Sequence, residues 1–245
     1  MGRTYASKWR KYKVLKSSAS LAGTVPETRP LSSKSLNLLL EKYGSVILKP
    51  IDGSGGSGVM QVTSLGKQKY KVHFGKTSKK LAGKRAVSAY LRRKRQKRSY
   101  IVQKRINLAT LHGRPLDFRV MVQRRKSWKV TGKLAKIAGK GYIITNVARS
   151  KGYVLPAGTA LKRALSLKSR AAKPIESRLE AVALRAAKRL NSRFSWIRTV
   201  GLDMGVDKDG KVWIIEANFK PNIFLFRKLK DKSMYYRIAA YKKGK

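Results

Sequence analysis

The sequence predicts an α+β fold of antiparallel strands carrying a few helices, and three observations support this. Short runs rich in Val, Ile, Tyr and Trp recur between Gly-rich or polar breaks, among them S-V-I-L-K-P, S-Y-I-V-Q, D-F-R-V-M-V-Q and V-W-I-I-E. Helical periodicity is confined to a few segments, of which Leu179–Leu190 is the clearest, apolar on one face and Arg/Lys on the other. The 245 residues hold no internal repeat and no long Pro/Gly/Ser linker, and with 42% hydrophobic residues they can bury a substantial core.

Residues 1–30 are basic and read as loop, ending at T-V-P-E-T-R-P with Pro26 and Pro30 as breakers. Ser32 or Ser33 caps a helix over Lys34–Tyr43, with Leu36, Leu39 and Leu40 on one face. Ser45–Pro50 is a strand, and Val59–Val62 resumes strand character after I-D-G-S-G-G-S-G. A phosphate-binding P-loop or a dinucleotide fingerprint opens a helix, and this loop joins two strands, so it matches neither. A Gly/Ser flap can still fold backbone N–H groups over phosphates, with Lys49 adding a point charge. From Lys76 to Arg98 there are eleven Lys/Arg and no acid, with Ala86–Leu91 helical. This stretch is either a solvated face or a docking surface for an acidic partner or nucleic acid. Ser99–Gln103, residues 117–123 and residues 128–138 are strands. Tyr142–Arg149 is a strand and loop, and Ile223–Tyr241 a terminal helix with a basic tail.

The chemistry concentrates in V-G-L-D-M-G-V-D-K-D-G-K-V-W-I-I-E-A-N-F-K-P, residues 200–221. A two-residue turn at Asp209-Gly210 would pair Lys208 with Lys211 and set Asp203 opposite Glu216, with Asn218 on the same face. Oxygen donors of this kind suit a hard cation such as Mg²⁺ shared with substrate phosphates. Cysteine is absent, which excludes disulfides and thiolate metal sites. No apolar run is long enough to span a membrane and no signal-like segment follows the basic start, so a cytoplasmic protein is expected. Against 11 Asp+Glu stand 59 Lys+Arg, a net charge of +48 that attracts polyanions in a salt-dependent way.

Taken in order, these segments resemble the ATP-grasp superfamily, and within it the YheC/YheD-type endospore coat-associated proteins and the ribosomal-protein glutamate ligases. The landmarks are S-K-W…V-P-E-T, V-I-L-K-P-I-D-G-S-G-G-S-G-V, Y-I-V-Q-K-R-I, D-F-R-V, I-T-N-V-A-R, G-L-D-M-G-V-D and I-I-E-A-N-F-K-P. The resemblance implies two α+β lobes with antiparallel sheets holding a nucleotide between them. It divides the chain into a leading segment 1–43 (the remnant of an amino-terminal domain), a small lobe 44–106 with the flap, and a large lobe 107–245 with the metal site. It implies an ATP- and Mg²⁺-dependent carboxylate–amine ligase working through an acylphosphate, with one or two Mg²⁺ or Mn²⁺ ions. Lys8, Lys49 and the loop Gly53, Ser54, Gly55, Gly56, Ser57 and Gly58 would hold phosphates. Gln103, Lys104 and Ile106 form the adenine hinge, and Asp117 contacts the ribose. Arg119, Lys136, Asn146 and Arg149 face the transferred phosphoryl group, while Asp203, Glu216 and Asn218 hold metal. The substrate is expected to be an acidic molecule, amino acid, peptide or protein, with a protein partner completing the cleft and an endospore setting. Ser150-Lys151, Lys136 and Phe219 depart from the family pattern on the acceptor side. Two other readings stand beside the ligase: a non-catalytic basic binding protein, and a kinase-like phosphotransferase on the same scaffold.

Overall fold

Two antiparallel sheets, the first backed by helices on one face and the second carrying helices on both, meet across a cleft. The computed structural model describes residues 6–53 and 55–243. In chain order the elements are α1 (Lys8–Lys16), α2 (Ala19–Ala22), β1 (Thr28–Pro30), α3 (Ser33–Tyr43), β2 (Ser45–Pro50), β3 (Met60–Ser64), β4 (Lys69–Phe74), β5 (Thr77–Ala82), α4 (Gly83–Arg95) and β6 (Tyr100–Lys104). They continue as β7 (Thr110–Leu111), β8 (Arg114–Arg124), β9 (Trp128–Ile137), α5 (Val147–Ser150), β10 (Tyr153–Pro156), α6 (Ala157–Ala164), α7 (Ser169–Arg193), β11 (Thr199–Val206) and β12 (Val212–Asn218). A 3₁₀ turn, Phe224–Lys228, and α8 (Ser233–Lys243) end the chain.

The first sheet has the order β1-β6-β2-β3-β4-β5. Strand alternation sends Val46 and Leu48 of β2 into a core with Leu36, Leu39 and Leu40 of α3 and Val87 and Leu91 of α4. The opposite face of β2 carries Ile47 and Lys49 toward the second sheet. That sheet runs β10-β9-β8-β11-β12, with β7 on β8. On its helical side α7 buries Leu179, Val182, Ala183, Ala186, Ala187 and Leu190, a spacing of three and four that keeps one stripe against the strands. Fully burying each larger aliphatic side chain contributes about 1.5–3 kcal/mol. On the other side α8 and the 3₁₀ turn cover Met121 and Leu134 with Phe226 and Ile238, leaving the rest of that face to the cleft.

The basic leading residues are not loop. Ser7 caps α1, its Oγ accepting from the Arg10 amide at 3.3 Å. Leu15 and Leu21 join the core of the second sheet, while β1 and α3 join the first, so residues 6–43 are shared between both halves. The expected strand at Tyr142–Arg149 is instead a loop leading into α5, and β10 and α6 follow it. The terminal helix is interrupted, with residues 229–232 separating the 3₁₀ turn from α8. Strand β5 lacks any apolar alternation and is held by backbone pairing to β4.

Candidate active site

The hairpin β11–β12 reaches the expected pairing by a different route. The loop spans three residues, not two: the Asp207 amide donates to the Lys211 carbonyl at 3.0 Å, and Asp207 Oδ1 accepts from the Asp209 and Lys211 amides. Gly210 supplies the positive φ of +76° that closes this turn. The pairing therefore starts as Val206 with Val212 and Met204 with Ile214, one residue out of the expected register. A register shift between Asp203 and Met204 then restores Asp203 opposite Glu216. The extra residue is Ile215, and the bulge brings both Ile215 and Glu216 to the cleft wall, which a regular strand would not allow.

Cross-strand neighbours then form two short charged rows. Arg119 on β8 pairs with Asp203 on β11, which pairs with Glu216 on β12, and Asp117 on β8 pairs with Lys136 on β9. Arg119 grips Asp203 with two donors, Nε to Oδ1 at 2.9 Å and Nη2 to Oδ2 at 3.2 Å. Lys136 Nζ lies 2.7 Å from Asp203 Oδ1 and 3.0 Å from Asp117 Oδ1. Asn218 Nδ2 donates to Asp203 Oδ2 at 3.2 Å, and Thr145 donates to Asp117 Oδ2. Burial works to raise the Asp203 carboxyl, but Arg119 and Lys136 outweigh it and hold the group well below the usual carboxylate range. Asp117 is pushed upward by burial, against the pull of Lys136.

The first sheet supplies the facing wall. Lys49 is buried, its Nζ donating to Gln103 Oε1 at 2.6 Å, and burial lowers its pKa. Lys8, at the start of α1, donates to the Gly53 carbonyl at 2.5 Å and sits 3.8 Å from Glu216 Oε1. The flap bends over the cleft toward residues 144–149. A methyl group placed on Gly56 would meet Ile144 Cδ1 at 3.1 Å, and one on Gly55 would meet Asn146 Nδ2 at 3.6 Å. The enclosed space is about 420 Å³, a fair size for a nucleotide.

Of the residues singled out from the sequence, Lys8, Lys49, Gly53, Gly55, Gly56, Ser57, Asp117, Arg119, Lys136, Asn146, Asp203, Glu216 and Asn218 line this cleft. Ser54 lies outside the described residues. Gly58 stands at the base of the flap. Arg149 is exposed beside Gly55, and Asn146 caps α5 by accepting the Arg149 amide at 2.9 Å. The hinge residues do not reach the wall. Gln103 is buried behind Lys49 and donates onward to Thr28 Oγ1 at 2.8 Å, while the Lys104 amide donates to the Glu27 carbonyl. Ile106 is absent from the lining as well. The apolar wall missed from the sequence comprises Ile47, Val59, Leu108, Ile144 and Ile215. Leu108 has a signal in Gly205, whose missing side chain makes room for it: a methyl there would meet Leu108 Cδ2 at 2.4 Å.

Gly58 gives a direct test of the flap. Its φ is +75°, and a methyl group there would stand 2.7 Å from Tyr100 Oη and 2.9 Å from Pro50 Cγ. Gly58→Ala is expected to displace the flap and weaken ATP binding about tenfold, measured by calorimetric titration. The melting temperature should fall by about 2–8 °C, because the left-handed conformation costs an alanine about 1–2 kcal/mol.

Across nearly its full length the chain superposes on ATP-grasp structures. It covers 98% of itself and 72% of the C-terminal domain of K. lactis Pby1, an ATP-grasp enzyme interacting with the mRNA decapping enzyme Dcp2, at TM-score 0.57 and 18% identity. For the D-cycloserine synthetase DcsG the coverage is 98% and 70%, at TM-score 0.57 and 11% identity. For the ATP-grasp ligase PsnB, complexed with a phosphomimetic variant of its minimal precursor, Mg and ADP, it is 98% and 58%, at TM-score 0.54 and 15% identity. By sequence the chain is 28% identical over 234 residues to the endospore coat-associated protein YheD of Bacillus subtilis (strain 168), covering 91% of the chain and 50% of YheD. It is 23% identical over 228 residues to YheC of the same organism, covering 90% of the chain and 61% of YheC. The chain thus spans between half and two thirds of these relatives. A family model described as YheC/D-like ATP-grasp matches residues 1–242, and the chain belongs to that family.

Proposed function

We propose that the chain is an ATP- and Mg²⁺-dependent carboxylate–amine ligase acting on a peptide or other acidic substrate. The observation that supports this most is the pairing of a glycine flap on one wall with the Lys136–Asp117 and Arg119–Asp203–Glu216 rows on the other. Five cations, Lys8, Lys49, Arg119, Lys136 and Lys220, line the cleft against three carboxylates, a balance suited to a triphosphate.

The donor set fits a hard divalent ion. Glu216 and Asn218 offer carboxylate and amide oxygens, Asp203 would join them on releasing a donor now held on its oxygens, and among the described residues no group of three or more His, Cys, Asp or Glu forms a self-sufficient cage. That is the arrangement Mg²⁺ favours, since it takes its remaining ligands from phosphate and water. Once bound, Mg²⁺ neutralises charge on the phosphate oxygens.

In the proposed reaction a substrate carboxylate oxygen attacks the γ-phosphorus and the bond to the β–γ bridging oxygen breaks. ADP leaves and an acylphosphate forms. An amine then attacks the acyl carbon, expels inorganic phosphate and loses a proton. Lys49, Lys8 and the flap amides position the phosphates, while Arg119 and Lys136 are held rigidly by Asp203 and Asp117 as donors to developing charge. The apolar wall of Ile47, Val59, Leu108 and Ile215 receives the adenine and keeps water out. The spore-coat setting in the relatives' names is extended to this chain as part of the same proposal.

The test is ADP release with Mg-ATP, screened over amino acids and acidic peptides. ADP and phosphate formed in step with amide product are expected. Phosphate transfer without amide formation would leave the kinase-like reading, and ATP binding with no turnover on any substrate would leave the binding-only one.

A further inference from the structure

A second concavity lies apart from the cleft. A groove of about 960 Å³ runs on another face, between α1–α2 and α3, and none of its lining residues lines the cleft. We propose that this groove binds single-stranded nucleic acid.

Its charge is one-sided. Lys16, Arg29, Lys34, Lys42 and Lys104 line it, with Glu27 as the one carboxylate. Glu27 is consumed internally: Tyr43 donates to Oε2 at 2.7 Å, Lys42 lies 3.0 Å from the same oxygen, and Arg29 lies 2.9 Å from Oε1. These hydrogen bonds, Tyr43 first, pull its pKa down to about 2, so it stays ionised and paired. The remaining field is cationic, within a chain of net charge +48.

Its rings are arranged for stacking. Trp9 and Tyr12 lie nearly parallel, centroids 5.3 Å apart at 18°, on the α1 side of the groove. Across from them Tyr43 and Trp213 hold the Lys104 ammonium, 4.9 Å from one centroid and 5.2 Å from the other. The polar ends of three rings are spent inward. Tyr12 Oη accepts from the Thr28 amide, Tyr43 Oη donates to Glu27, and Trp213 Nε1 donates to Asp207 Oδ2 at 2.8 Å. Trp213 is only 8% exposed, with Lys104 and Lys211 over its ring, so the groove presents Trp9, Tyr12 and Tyr43 flanked by ammonium and guanidinium groups, the combination that takes unpaired bases and their phosphates together. A duplex hides its base faces within its own stack, and an acidic peptide would use the cations alone.

The experiment is titration of the full chain with short oligo(dT), followed by tryptophan fluorescence and by anisotropy at about 50 and 200 mM salt. Binding with tryptophan quenching is expected, weaker for duplex of the same length and for inorganic polyphosphate. Trp9→Leu should weaken oligo(dT) binding about tenfold, since one stacked base contributes about 1–3 kcal/mol. Leu38→Asp, at a groove residue 42% exposed and so safe for folding, should weaken it as well. Arg93→Asp on α4, a larger charge change outside the groove, should do less than either. The proposal is overturned if Trp9→Leu and Leu38→Asp bind as the wild type does, if Arg93→Asp costs as much as they do, or if duplex or polyphosphate binds as tightly as oligo(dT).

Discussion

Glu216→Ala is expected to remove the response to Mg-ATP while leaving the fold intact. The side chain is 22% exposed at the cleft wall, its cationic neighbour Lys8 is itself anchored to the Gly53 carbonyl, and no core contact depends on it. On the proposed reading, Mg-ATP at about a hundred times its dissociation constant should stabilise the wild-type fold by about 2.7 kcal/mol. For a chain of this length that is a rise of about 5–10 °C in melting temperature. The variant should show little of this rise, unchanged melting without ligand, and turnover reduced by about 10²–10³, the usual loss when one preorganised group at developing charge is removed. Equal stabilisation of both proteins by Mg-ATP would place the nucleotide elsewhere.

Asp203→Ala should instead destabilise the protein before any ligand is added. Arg119 and Lys136 are 9% and 7% exposed, and both spend their charge on this carboxylate. Removing one partner of a buried ion pair costs about 3–5 kcal/mol; Asp117 still faces Lys136, so the lower end applies. The melting temperature should fall by about 6–12 °C. The pH dependence has a definite sign. Because Arg119 and Lys136 depress the folded-state pKa of Asp203, its contribution is fully present above the ordinary aspartate value of about 3.9 and is lost as pH falls below it. Asp117, raised by burial and further by the Asp203 charge, acts in the opposite sense, so the difference between wild type and variant reports Asp203 together with the part of the Asp117 shift that it causes. That difference should shrink steadily as pH is lowered below about 4. A difference independent of pH would mean that the loss is one of packing and not of charge.

Much of this site was legible from the sequence because its parts obey short-range rules. The glycine loop beside Lys49 required close backbone approach, and the turn at Asp209-Gly210 set Asp203 opposite Glu216. That last reading was right through two compensating departures. Asp207 captures two amides and lengthens the turn by one residue, and the bulge at Ile215 takes it back. Neither shows in a dipeptide pattern, although an aspartate two residues ahead of Asp209-Gly210 is a side chain able to make such a turn. Helix α1 was hidden because cations surround Tyr12, Val14 and Leu15, whose packing shows only once the core of the second sheet is there to receive it. The hinge segment stands behind the cleft for a related reason: β1 pairs against β6, and Gln103 donates to Thr28 on that strand. Loop 139–146 follows tertiary contacts with the flap, which no local pattern encodes.

The polypeptide passes between the two sheets twice, once between Thr24, tied to Ile214, and Thr28, and once between Lys104 and Ala109, tied to Val206. Both passages lie side by side, joined where Lys104 donates to Glu27 and Thr28 pairs with Gln103. Two adjacent tethers behave as a door hung on paired straps: the halves can swing about the line through them, but shear and twist are resisted. Any gape that admits or discharges a nucleotide is therefore a one-axis rotation, widest at the glycine rim and smallest beside Gln103.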